Sequence, residues 1–150
     1  MYLNIGMAKI SGSAHEAMDF GLLRKGIDHI SINKKRLISE AKANIISMNE
    51  QGYTPPSKEK RIKVLGKQIL GSFLVGADSM YHAGFITEHE KLMSEKLAHV
   101  ISGGDLSVPT LVSEQYLLDL EREAFLSLTG ERKTLERIEH MLKKGKPLRN

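Results

Sequence analysis

The chain has 150 residues, a length that suits one domain or one small domain with a piece of another. Its hydrophobic share of 41% allows a core, its net charge is +4, and it contains no cysteine, which excludes disulfide bonds and thiolate chemistry. Its apolar runs are too short to cross a bilayer and residues 1–10 show no secretory signal, so we expect a cytoplasmic protein without a membrane segment.

Residues 1–52 combine helical and strand patterns. A capping box at 13–16 begins a short helix, which should end at Gly21 because glycine tolerates the left-handed cap conformation. Residues 29–32 alternate and are β-branched at two positions, which predicts a short strand. A longer helix follows over 33–52, with apolar side chains at helical spacing.

Residues 53–64 interrupt this pattern. They contain Pro55 and Pro56, which cannot lie inside a helix, followed by a highly charged run. The sequence therefore predicts a linker here, between a first part over 1–52 and a helical region over 65–150.

The region after the linker has helical periodicity only, and a glycine follows each predicted helix. The predicted helices cover about 65–83, 87–102, 113–129 and 131–144. We therefore predict a mainly α fold of about six helices, with at most one short strand near 29–32.

Motifs for metal or phosphate binding are incomplete. His15-Glu16 and His89-Glu90 each begin like a zinc-protease helix, but neither has the second histidine four residues on. The glycines at 21 and 26 lack the Lys-Ser/Thr pair of a phosphate loop, and no dinucleotide fingerprint follows a strand. We expect no metal site and no nucleotide site in this chain; His140 is the one histidine near a basic cluster.

Carboxylates on the last two predicted helices alternate with arginine and lysine, which is typical of a solvated face with ion pairs. No serine lies in a nucleophile-elbow setting. The residues alone thus predict a helical protein without a self-contained active site.

Basic residues form three clusters. They are Lys34 to Arg36, the 58–67 stretch, and a tail with Lys143, Lys144, Lys146 and Arg149. Aromatic residues are only 5% and do not interleave with them, which disfavours nucleic-acid binding. Two interpretations stay open for the clusters: solvated helix ends, or a site for an anionic phosphate ligand, with the tail as its best candidate.

Four stretches resemble known proteins. Residues 9–23 resemble a signature of the enoyl-CoA hydratase/isomerase (crotonase) family, and residues 140–147 are similar to the ending of crotonases. Residues 102–125 and 144–150 resemble the C-terminal stretch of bacterial proteins that join a 3-hydroxyacyl-CoA dehydrogenase to an enoyl-CoA hydratase. The resemblance covers nearly the whole chain.

The resemblance implies that this chain is the C-terminal helical part of a crotonase-like domain in a β-oxidation protein. In that family the oxyanion hole, the catalytic glutamates and the NAD-binding half lie upstream, so the start at Met1 is expected to be a truncation or an excised domain. The chain should then be inert by itself and bind no cofactor, whereas its parent uses NAD and acyl-CoA.

The resemblance also implies a structural role for this C-terminal region. Its C-terminal helices close over acyl-CoA and build the oligomer, which implies upstream domains of the same polypeptide, acyl-CoA and further copies as partners. Basic residues near the family's end approach the CoA phosphates; the matching positions are Lys144 and Lys146, followed by Lys143. Gly145 stands where the family commonly has arginine. The alternative hypothesis is an independent helical module that binds a partner helix.

Overall fold

The computed structural model describes residues 1–55 and 61–150 and is mainly helical, as predicted. Contacts divide the chain into two compact units, with the boundary at residues 57 and 58. Much of the predicted linker, residues 56–60, lies outside the described residues. In the part that is described, no helix has both the length and the apolar character needed to span a membrane.

The first unit contains three α-helices within its described residues. They are α1 (Tyr2–Gly6), α2 (Ala14–Asp19) and α3 (Leu37–Glu50), the last preceded by a 3₁₀ turn at Lys34–Arg36. Only the Ser13 half of the predicted capping box is present: Ser13 Oγ accepts a hydrogen bond from the Glu16 N–H at 3.1 Å. The Glu16 carboxylate in turn accepts from the Gly12 N–H at 2.6 Å. The capping motif therefore predicted the start of α2 correctly. Helix α1 was not predicted from the sequence.

The strand predicted over residues 29–32 is wrong. This segment is irregular, and Ile32 is almost fully exposed. Its polar side chains make local contacts instead: His29 lies 3.4 Å from Glu40, and Ser31 Oγ donates to the Asn33 carbonyl at 3.3 Å. A strand requires a neighbour for its backbone groups, and the described residues supply none for this segment.

Over residues 61–150, the second unit contains two short strands, each followed by two helices. In chain order these are β1 (Arg61–Val64), α4 (Lys67–His82), α5 (Glu88–Ser102), β2 (Thr110–Ser113), α6 (Glu114–Thr129) and α7 (Arg132–Lys144). The four predicted helices of this region are confirmed to within about two residues at each end, the usual uncertainty of helix boundaries.

The two strands pair antiparallel, with Arg61 opposite Ser113 and Val64 opposite Thr110. This small sheet was not predicted, and it places the end of the predicted linker, residues 61–64, in regular structure. The charged neighbours of β1 concealed its alternation. Val64 is nonetheless nearly fully buried, and it fixes the strand against the rest of the unit.

The end of α5 contacts the start of α4 through backbone groups. The Gly66 N–H donates to the Ser102 carbonyl and the Lys67 N–H to the Leu106 carbonyl, both at 2.8 Å. Gly103 ends α5 with φ 90°, and a Cβ built there would lie 2.4 Å from Val64 Cγ2. Glycine is therefore required at this junction by both conformation and space.

Small side chains form the buried core. The buried apolar residues of the second unit are Val64, Ala77, Ala98 and Ala124. The larger apolar residues of α4 are partly or largely exposed, including Leu74 and Tyr81. The helices thus approach one another through alanines, while much of their larger apolar surface remains uncovered.

Candidate functional site

The predicted lysines lie on either side of a turn at the end of α7. Gly145 ends the helix in the left-handed conformation, with φ 64° and ψ 19°. Lys144 occupies the last helical turn, where a cation is favoured by the helix dipole, and Lys146 follows the glycine. Both are exposed, and within residues 1–55 and 61–150 neither takes part in an ion pair, whereas Lys143 pairs with Glu139.

The C-terminal segment, residues 146–150, returns along α7 and contacts α5. Asn150 is the main contact on α7: its Oδ1 accepts from Arg137 Nε at 2.7 Å, and its Nδ2 donates to Glu136 Oε2 at 2.9 Å. Arg149 reaches α5, donating from Nε to both oxygens of Glu90 at 3.0 and 3.1 Å. The segment is therefore held at its far end by two helices.

Glu90 lies at the centre of this network. Its carboxylate accepts from the Thr87 N–H at 2.8 Å in a capping box and also lies 3.6 Å from Arg137 Nη2. Burial acts to raise the pKa of Glu90, but the Thr87 N–H and the two guanidinium groups outweigh it, and the pKa is lowered. Glu90 is thus an ionised anchor around neutral pH.

A second polar contact joins α5 to α7. His89 and Thr134 are both buried, and His89 Nε2 lies 3.0 Å from Thr134 Oγ1. Burial, reinforced by the positive charges of Arg137 and Lys133, lowers the pKa of His89. A neutral, buried imidazole whose Nε2 is already engaged suits helix packing better than proton transfer.

An open groove of about 570 Å³ lies between the end of α4, α5 and the start of α7. Its charged lining is balanced, with Glu88, Glu95 and Glu131 against Lys91, Arg132 and Lys133. Lys91 is engaged by Asp78 at 2.5 Å and lies over the Tyr81 ring, 5.3 Å from its centroid. The groove therefore presents no concentrated charge for an anionic or cationic ligand.

No group of three or more histidine, aspartate or glutamate side chains in the described ranges could hold a metal ion. His140 is half-buried on α7. The expected ion pairs on the last two helices are present, including Arg122 with Asp119 at 3.0 Å and Arg132 with Glu136 at 3.1 Å. Arg137 is the exception, because it turns away from solvent toward Glu90 and Asn150.

Sequence reasoning located the basic tail but missed the network that holds it. The Thr87–Glu90 capping box was recognisable from its spacing, and it marks one member of the network. The pairing of Glu90 with Arg149 spans 59 residues, so no local pattern could reveal it.

Comparison with known proteins gives one informative relative. The chain is 48% identical, over 146 residues, to a Bacillus subtilis (strain 168) protein described as a probable 3-hydroxyacyl-CoA dehydrogenase. The match covers 97% of this chain but only 18% of that protein. No family profile and no solved structure matches the chain.

Proposed function

We propose that this chain acts as a helical structural segment of an NAD-dependent 3-hydroxyacyl-CoA dehydrogenase that also has an enoyl-CoA hydratase part in fatty-acid β-oxidation. In this role it helps enclose acyl-CoA and pack subunits, and it does not catalyse alone. The observation that carries the proposal is the relative: its similarity extends through nearly all of this chain, while this chain corresponds to a small share of its length.

The surface of the chain supports a role inside a larger assembly. Many large apolar side chains are exposed, and on α6 and α7 they include Phe125, Leu126, Leu135 and Leu142. Exposed apolar area of this extent is typical of surfaces that another protein element covers. A partner that supplies bulky apolar side chains would complete a core that the chain builds mainly from alanine.

A segment exchange tests the proposal. The Bacillus subtilis relative would be prepared intact, without the matching segment, and with this chain in its place. We expect the chimaera to oxidise 3-hydroxybutyryl-CoA with NAD at a rate close to that of the intact protein, and the deletion variant to be inactive. Full activity of a well-folded deletion variant would contradict the proposal, and the isolated chain should not hydrate crotonyl-CoA.

Lys144 and Lys146 are proposed to contact the phosphates of CoA, as exposed cations flanking the α7 turn. In the chimaera, Lys144→Gln and Lys146→Gln should raise KM for acyl-CoA with little change in kcat, since a phosphate far from the reacting carbon contributes binding only. Lys35→Gln removes an exposed charge from the first unit and serves as the control. An unchanged KM in the double variant would remove these residues from the proposal.

The same apolar faces support the alternative, an independent helical module that binds a partner helix. Mixing the isolated chain with the deletion variant of the relative distinguishes the two proposed functions. Recovery of dehydrogenase activity supports the segment, whereas absence of both recovery and chimaera activity supports the module.

A further inference from the structure

The C-terminal segment returns along most of the length of α7. Asn150 Nδ2 donates to the Lys133 carbonyl at 3.3 Å. Lys133 lies near the start of α7 and Gly145 at its end, about 18 Å apart along the helix axis. The five residues 146–150 span at most about 17 Å when extended. These five residues, the Asn150 side chain and its 3.3 Å hydrogen bond together cover this distance, so the segment runs back along α7 and does not form a compact turn.

The attachment is concentrated at the far end. Arg149 and Asn150 engage Glu90, Arg137, Lys133 and Glu136, and Arg149 Nη2 also donates to the Phe85 carbonyl. Within the described chain, Lys146 makes no such contact. A segment of five residues that is fixed at Gly145 and at its last two residues restricts Lys146 without contacting its side chain.

We infer that residues 146–150 form a strap, fastened by Glu90 and Arg137, and that this fastening fixes the position of Lys146 beside the α7 turn. Glu90 and Arg137 are then positioning residues for an anionic ligand; this last step rests on the proposed function. The fastening itself is a property of the ligand-free chain.

Glu90→Gln separates the charge from the capping role. Glutamine at the third helical position still completes a capping box, so α5 should keep its N-terminus while the charge-assisted pair with Arg149 is lost. Arg149→Gln removes the same pair without touching α5. Arg122→Gln, which breaks an exposed pair on α6, is the matched control.

The readout is the backbone ¹⁵N heteronuclear NOE of Leu148, Arg149 and Asn150 in the full chain. We expect ordered-backbone values in the wild type and the Arg122→Gln control, and clearly lower values at Leu148 and Arg149 in both strap variants, in which Asn150 keeps its contacts with Arg137 and Glu136. The double variant should be no more mobile than Arg149→Gln alone, since both substitutions remove the same Glu90–Arg149 pair. A wild-type segment that is already mobile, or variants that leave it ordered, would overturn the strap.

Titration with coenzyme A in the same samples tests the positioning role. Glu90→Gln should weaken CoA binding by less than Lys146→Gln does, and combining the two should add nothing. If the strap is released but CoA affinity is unchanged, the positioning role is overturned. If CoA does not bind the wild type at all, the proposed CoA contact fails, while the NOE values still decide the strap.

Discussion

At the residue scale, Gly103 is constrained in both conformation and space. A side chain there would have to adopt φ 90° and overlap Val64. We expect Gly103→Ala to lower the free energy of unfolding by about 2–4 kcal/mol, combining left-handed strain with overpacking. Gly84 also has positive φ but open space around it, so Gly84→Ala should cost only about 1–2 kcal/mol. Equal losses in urea unfolding would refute the role of Val64.

His89 gives the second unit a pH dependence of known sign. Its folded-state pKa is lowered from 6.5, so the unfolded chain binds the proton more readily. The contribution of this residue is complete above pH 6.5 and is lost progressively as the pH falls toward the folded-state pKa. Unfolding measured from pH 7.5 to 5 should show this loss in the wild type and in His15→Gln. The decline should be smaller in His89→Gln, and an identical decline would contradict the assignment.

At the element scale, the start of α5 depends on one hydroxyl. Thr87 Oγ1 accepts from the Glu90 N–H at 3.2 Å, which completes the capping box that also orients Glu90. Thr87→Ala should cost about 1 kcal/mol of stability and loosen the strap. Thr87→Ser retains the hydroxyl and should preserve both properties. Chemical denaturation and the tail NOE values report the two effects separately.

Helix ends were predictable from sequence, and helix surroundings were not. Gly103 and Gly145 end their helices in the left-handed conformation that glycine permits, a local preference visible in the sequence. Ile38 and Ile45 lie at helical spacing on α3, yet both are largely exposed. Periodicity identifies which side chains share a face, but what covers that face depends on distant residues. The strap escaped prediction for the same reason.

At the scale of the whole molecule, uncovered apolar surface should drive self-association. We expect the weight-average mass in sedimentation equilibrium to rise with protein concentration. Leu126 and Leu142 are among the most exposed apolar residues of the second unit, so their replacement by lysine should shift association to higher concentration. Gln115→Lys with Ser127→Lys adds the same charge at polar positions and is the control. A wild type that remains monomeric throughout would contradict this prediction.

The helices of the second unit differ in burial, so we expect them to unfold locally at different free energies. Ala98 and Ser102 on α5 are fully buried, and of the helices described, α5 alone has every residue after its first at least partly covered. Its amides should be the last to exchange with deuterated water, while α6 and α7 open at a lower free energy. A binding partner that covers the outer helices would then slow their exchange most and leave α5 nearly unchanged. Exchange protection could thus locate the missing contact surface before any complex is crystallised.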